Sequence, residues 1–294
     1  MRYPKSPLGW ALLALVACVS VSAAEAWKPL FNGKDLTGWD TWLAKPDKSV
    51  VLEGAAKNEA GAYLEVIGSN RDPLHVFTVE NVDGQPAIHI TGQVFGGITT
   101  KEEYANYHLR LQFKWGEKKW APRAAATTPR DSGLLYHVHS AWNFNNRTWP
   151  RSPEFQIQEH DVGDLYAIAC QMTVMARQPD PAKRVFIYDP KEGKPTDFLE
   201  KPPVGNKCVK FPDNEKPNGE WNTLDLICVG DQSIHIVNGK VVMRLGNAKR
   251  LDGAEPAPLT AGKILLQSEG AEIFYRNVAI TPITAVPAEY AEAK

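Results

Sequence analysis

The stretch with the most chemical potential is Ser152-Pro153-Glu154-Phe155-Gln156-Ile157-Gln158-Glu159-His160. Read as a strand, it places Glu154, Gln156, Gln158 and His160 on one face, and Phe155, Ile157 and Glu159 on the other. A run of polar residues on one face is either a ligand surface or a solvated sheet. The segment Gly133–His139 favours the ligand surface, because it aligns Leu135, His137 and His139 on one face in turn. A carboxylate beside two imidazoles can do acid–base work or hold a divalent metal. On a strand, His137 and His139 would stand roughly 7 Å apart at their Cα atoms, with Glu154 as a third ligand. The chain has no Cys-x-x-Cys or His-Glu-x-x-His pattern, so no residue is assigned as a metal ligand. A divalent metal remains an option, and no other cofactor is implied. A conventional retaining glycosidase needs two carboxyl groups about 5 Å apart. The even positions after Glu154 are glutamines, and Glu159 reaches the Glu154 face only if a bulge re-aims it.

The elements that must position these residues are strands. Apolar residues alternate with polar ones or form short runs bounded by Gly, Pro, Asn and Asp. Expected strands cover 87–94, 108–115, 133–139, 154–160, 223–229, 233–238, 240–245, 263–268 and 272–280. In His108–Trp115, Leu109, Leu111, Phe113 and Trp115 form the core face, and His108, Arg110, Gln112 and Lys114 face water or a ligand. Asn238-Gly239 between two strands predicts a type I′ hairpin, whose two central residues need positive φ. The stretch Pro179–Gly219, rich in Pro, Lys and Asp, reads as a long loop inside the domain. Many short strands with turn signals between them indicate a sandwich or jelly roll.

Arg2 and Lys5 precede the apolar run Trp10–Val21 and then small residues, which is the layout of a secretory signal peptide. The run is shorter than the roughly 20 apolar residues of a membrane-spanning helix. Two processing routes fit: cleavage after Ala24 or Ala26, and lipidation at Cys18 within Leu15-Val16-Ala17-Cys18, which would give a lipid anchor. Either route exports the protein, as a periplasmic, outer-membrane lipoprotein or secreted species. The expected organisation is a leader over 1–26, one domain over 27–283 and a tail over 284–294. A formal net charge of -1 gives no basic footprint for nucleic acid. Nine tryptophans suit either a sandwich core or a sugar site, and Trp221 is expected in the core. Cys228 reads as buried, while Cys170 and Cys208 could pair in an oxidising compartment.

Eight phrases occur in order: LFNGKDLTGW, YANYHLRLQFKW, RDSGLLYHV, SPEFQIQEHDVGDLY, NGEWNTLDLICVG, IHIVNGK, KILLQSEG and IFYRNVAI. Together they resemble the secreted bacterial 3-keto-disaccharide hydrolase family, from about Trp27 to Ile283. The resemblance implies an all-β, concanavalin A-like jelly roll of two antiparallel sheets with the sugar on the concave face. It also implies action on glycosides whose C3 hydroxyl has been oxidised to a ketone. One departure is Asp131, where Asn often precedes Ser-Gly in the family.

A 3-keto group acidifies the C2 hydrogen. One base can then form an enediolate, and the C1 substituent leaves by elimination, with water adding afterwards. This needs a base, an oxyanion partner and an acid. Glu154 or His137 serves as base, and Gln156, His139 and Arg110 position the ketone. Glu159 is a second catalytic candidate, and Gln158 and His160 are further substrate contacts. The resemblance places Gln267 near the site. Gln267 and Tyr166 each fit either a ligand contact or a structural hydrogen bond. The alternative to an enzyme is a non-catalytic, lectin-like glycan-binding module.

Overall fold

A computed structural model describes residues 26–291, so Cys18 and the rest of the leader before Ala26 lie outside the described residues. Two antiparallel sheets stack into a jelly-roll sandwich, and the described residues contain no α-helix. The larger sheet runs in the order Ile187–Tyr188, Cys170–Arg177, Lys240–Arg250, Gln232–Val237, Asn222–Val229, Tyr107–Lys119, Ala271–Pro282, Gln85–Ile90 and Phe77–Val82. The smaller runs Lys207–Cys208, Leu165–Ile168, Ser152–Gln156, Gly133–Val138, Ala261–Ser268, Gly96–Thr100, Trp39–Leu43 and Gly68–Ser69.

Period-two alternation explains how the sheets stack. Leu109, Leu111, Phe113 and Trp115 from the larger sheet meet Leu134, Phe155, Leu266 and Ile98 from the smaller one in a single core. Fully burying each such side chain stabilises the fold by roughly 1.5–3 kcal/mol. The Asn238-Gly239 hairpin forms as expected, with φ of 49° and 79°.

Three local expectations are corrected. The strand expected over 154–160 ends at Gln156. The chain then turns back, with the Asp161 N–H donating to Gln158 O at 2.8 Å and the Gly163 N–H to Gln156 O at 3.0 Å. The turn uses positive φ at His160 (73°) and Gly163 (108°), so alternation breaks before His160. The stretch Pro179–Gly219 is more than a loop. It carries Ile187–Tyr188, Lys194–Phe198 and Lys207–Cys208, and its Tyr188, Phe198 and Cys208 join a second apolar cluster with Met172, Val174 and Leu245. Trp221 is not a core residue. Its indole N–H donates to Asp83 Oδ2 at 2.7 Å, and the Arg276 guanidinium lies 3.8 Å from its ring centroid. Cys170, Cys208 and Cys228 are all free and buried, and burial raises each thiol's pKa.

A bulge decides where His137 points. Val138 pairs with Lys263 and Leu135 with Leu265, so Tyr136 and His137 together oppose Ile264. His137 takes a φ of 48°. The extra residue turns both rings inward: His137 packs edge-on against Tyr107 and Tyr136, at centroid distances of 5.7 and 5.6 Å. The Tyr136 hydroxyl lies 2.8 Å from Ser233 Oγ and 3.2 Å from His235 Nε2 in the larger sheet.

His235 stacks on Phe155 at 4.2 Å, and its Nδ1–H donates to Gly163 O at 3.0 Å. Burial lowers its pKa to about 4. The folded state therefore keeps this ring neutral where an unfolded histidine, titrating near 6.5, binds a proton. The stability due to the neutral ring is complete above about 6.5 and declines as pH falls toward 4. We expect the cost of His235→Gln, measured by urea unfolding, to be smaller at pH 5 than at pH 7.5 by roughly 1–2 kcal/mol, at about 1.4 kcal/mol per pH unit of linkage. Equal costs at the two pH values would show that His235 does not titrate with unfolding.

Candidate active site

The outer face of the smaller sheet gathers carboxyl groups from three separate segments. Glu154 projects from Ser152–Gln156, paired across the strands with Leu135 on one side and Tyr166 on the other. Beside it, Gly133 leaves room for two side chains. A Cβ at this position would run into Glu154 Oε1 and Gln267 Oε1, so the glycine is what lets the carboxyl and the amide meet. Asp131 enters just before Gly133, and Glu269 just after Ser268 on the adjacent strand.

Arg123 ties the last two together. Its Nη2 donates to Asp131 Oδ2 and, at 3.1 Å, to Glu269 Oε1, and its Nη1 reaches Gln158 Oε1 at 3.4 Å. Ser132 fixes the segment from below, donating to Gln267 O at 2.8 Å and lying 2.8 Å from the Tyr275 hydroxyl in the core.

Burial dominates the electrostatics. Glu154 is 5% exposed, Asp131 3% and Gln267 0%. Loss of water raises the Glu154 pKa well above the carboxylate range. The charges of Glu269 and Asp131 push it the same way, and Gln267 and Lys207 oppose the shift. Burial also raises Asp131, with Glu269 adding to the effect and Arg123 opposing it. Glu269 is pushed up to about 7, again by burial and against Arg123. Burial and mutual repulsion outweigh Arg123 and Lys207 and favour retention of protons among the three carboxyl groups.

Several polar atoms here have no well-formed partner among the described residues: Asp131 Oδ1, Arg123 Nε, and both Oε1 and Nε2 of Gln267. A buried polar atom left unpaired costs about 1–3 kcal/mol. A cluster of them on one face is the mark of a surface completed by a polar ligand. Tyr166 flanks the site, half-buried, with the Lys207 ammonium 5.2 Å from its ring centroid. Lys207 is in turn held by Asp161 Oδ2 at 2.7 Å and Asp164 Oδ2 at 3.1 Å. An apolar strip of Leu135, Val138, Ile168 and Leu265 runs beside Glu154, under Trp142 and Trp149.

The structure thus brings together Glu154, Gln156, Gln158, Tyr166 and Gln267 from the sequence-derived set. Gln156 Oε1 accepts the Ile157 N–H at 2.8 Å, and Gln158 Nε2 donates to Asp161 Oδ2 at 2.8 Å.

Five residues of that set lie elsewhere. His137 points into the core because of the bulge. His139 sits past the far end of its strand, with Nδ1 3.0 Å from His137 O, in a cleft shared with Arg250 and Lys263. Glu159 stays off the Glu154 face, held by Arg130 (Nη1 to Oε1, 2.8 Å) and Asn218. These partners lower its pKa against its burial. His160 lies in the turn, its N–H donating to Glu215 Oε2 at 2.8 Å. Arg110 belongs to the other sheet's outer face, bonded to Asp225 Oδ1 at 2.6 Å beside Trp27.

The His137, His139 and Glu154 donor set is therefore not assembled. Among the described residues, no three His, Cys, Asp or Glu side chains converge as a metal-holding group. Sequence reasoning missed Glu269 and Arg123. Glu269 stands in the phrase KILLQSEG, two residues from Gln267, and Arg123 carries no local signal at all.

Over residues 26–281 the sequence matches the family described as the 3-keto-alpha-glucoside-1,2-lyase-like domain, and the chain belongs to that family. No curated protein matches it. Among solved structures it is similar to a candidate glycosyl hydrolase from Parabacteroides distasonis, at 20% identity and a TM-score of 0.48, covering 87% of this chain and 94% of that one. It is also similar to the carbohydrate-binding module CBM66 from Bacillus subtilis, at 8% identity and a TM-score of 0.38, covering 69% and 89%. A β-glucanase from Bacillus licheniformis aligns at 9% identity and a TM-score of 0.39, covering 89% and 99%.

Arg123 is the only cation in contact with Asp131 and Glu269 among the described residues, and a nearby cation favours the ionised carboxylate. Arg123→Gln is expected to move the Glu269 titration upward by about one pH unit or more. Carbon-13 NMR of glutamate-labelled protein would follow it. An unchanged midpoint would mean that the guanidinium does not control this carboxyl.

Proposed function

We propose that the protein cleaves 3-keto-glycosides by removing the C2 proton and eliminating the C1 substituent. The observation that carries this reading is the water-poor group of Glu154, Asp131 and Glu269, with the Gln267 amide, which lacks a well-formed hydrogen bond, beside Glu154. Such a group can hold one carboxyl ionised and another protonated at the same pH, which is what paired acid–base chemistry requires.

In this reading Glu269, poised near neutrality, takes the C2 proton. The C2–H electrons form the C2–C3 double bond of an enediolate, whose negative C3 oxygen receives N–H donation from Gln267 and Arg123. As the ketone reforms, the pair moves to C1–C2 and the C1–O bond breaks. Glu154, held protonated by burial, gives its proton to the departing oxygen. The products are an unsaturated keto-sugar and a free alcohol or sugar, and addition of water to the former completes a net hydrolysis. Tyr166 and Gln156 contact the sugar. His137, first considered as a base, has no part, because its ring lies in the core. Export is part of the proposal, on the strength of Arg2, Lys5 and the apolar run Trp10–Val21.

The test is incubation of the mature protein with a panel of 3-keto-disaccharides and their unoxidised parents in deuterated water, with and without chelator. Release of sugar from the oxidised members, with deuterium at C2 of the hydrated product, is the expected result. Glu154→Gln should lower kcat at least a hundredfold, in the range general acid–base groups contribute, while leaving the unfolding midpoint near that of the wild type. Cleavage of the unoxidised parents would instead assign the carboxyls to conventional glycoside hydrolysis. Sugar binding without any cleavage would make the protein a glycan-binding module.

A further inference from the structure

The carboxyl group occupies one end of a row of residues across the smaller sheet, and an open cleft occupies the other. Gln156 pairs with Gly133, Gln267 with Gly97, and Gly97 with Trp42. Trp42 therefore stands two strands from Gln267, about 10 Å away at the usual strand spacing. A cleft of about 660 Å³ opens there, its walls including Trp42, Phe95, Gln93, Asn143, Asn146 and Thr148. The two regions share a wall: Pro122 lines the cleft, and the next residue, Arg123, holds Asp131 and Glu269.

We infer that this cleft is a second saccharide subsite, which receives the leaving-group sugar of a disaccharide; the inference rests on the proposed cleavage of 3-keto-glycosides. Three features of the lining support a neutral sugar. The amides of Gln93, Asn143 and Asn146 and the hydroxyl of Thr148 can each donate and accept, as ring hydroxyls require. Phe95 and Leu64, partly exposed, supply apolar surface for the ring's C–H faces. Trp42 contributes little surface, being 4% exposed with one face stacked on Trp142 at 4.8 Å. The charged residues at the cleft are Lys45, Asp47 and Glu65, one cation against two anions, which offers no hold for a phosphorylated sugar. None of Glu154, Asp131 and Glu269 lines the cleft, so it binds without reacting. Its distance from Gln267 is the reach of one further sugar ring.

The test compares kcat/KM for a 3-keto-disaccharide and for methyl 3-keto-α-glucoside, which has no second ring, in wild type, Phe95→Ala and Asn146→Ala. Both variants should lose about tenfold on the disaccharide and stay within about twofold on the methyl glycoside, because only the disaccharide uses the remote contacts. Equal losses on the two substrates, or no loss on either, would overturn the subsite. Asn146 is exposed, so its replacement gives a reading even if Phe95→Ala folds poorly.

If the wild type turns over neither substrate, the cleavage reaction fails and the cleft is tested alone, by calorimetric titration with an unoxidised disaccharide. Binding that weakens about tenfold in Asn146→Ala but persists in Glu154→Gln would uphold a saccharide site. Absent binding, or binding indifferent to Asn146→Ala, would dismiss it.

Discussion

Three carboxyl groups crowd one face with little water, two of them bridged by the Arg123 guanidinium, and the rest of the site is arranged around that fact. Left to itself, such a group would spread apart or draw in solvent, since burial and mutual repulsion both oppose ionisation. Here the spacing is set by backbone. Glu154 stands on a central strand, Asp131 is held one residue before Ser132, and Glu269 follows Ser268, whose hydroxyl donates to Val94 O at 2.7 Å. The Arg123 bridge keeps Asp131 and Glu269 at one side. Gly133, with no Cβ, leaves the space that the Glu154 carboxyl and the Gln267 amide fill.

The sandwich bears the energetic cost of this arrangement. Unpaired atoms on Asp131, Arg123 and Gln267 each oppose folding, and the core beneath them compensates through close-packed apolar side chains. Ser132 links the two layers directly, because one hydroxyl serves both the strand carrying Gln267 and Tyr275 of the opposite sheet. A site whose polar atoms are left incomplete by the protein itself gains most from a ligand that supplies several hydroxyl or carbonyl oxygens at once.

Much of the fold was legible in the chain, and for a simple reason. Tyr107–Lys119 announces itself by period-two alternation, and Asn222–Val229 and Ala261–Ser268 by short apolar runs. Asn238-Gly239 announces its turn by backbone preference. Gly96–Thr100 and Trp39–Leu43 escaped notice because they are buried largely on both faces or mixed in composition, so alternation is weak. The site was half legible. Alternation correctly placed Glu154, Gln156 and Gln158 on one side, since Phe155 and Ile157 enter the core. It failed for His137, because one extra residue in a strand reverses every facing after it, and for His160, because the strand had already turned.

The sequence by itself determined the class of fold, the family and the one strand that carries Glu154, since these depend on local periodicity and on phrases in order along the chain. Only the tertiary structure decided which other groups stand beside Glu154. Asp131, Glu269 and Arg123 lie on separate segments, and their meeting depends on strand order and register, which no local pattern encodes. Strand order removed Arg110 to the opposite sheet, because facing along a strand says nothing about which sheet the strand joins, and a bulge against Ala261–Ser268 turned His137 into the core.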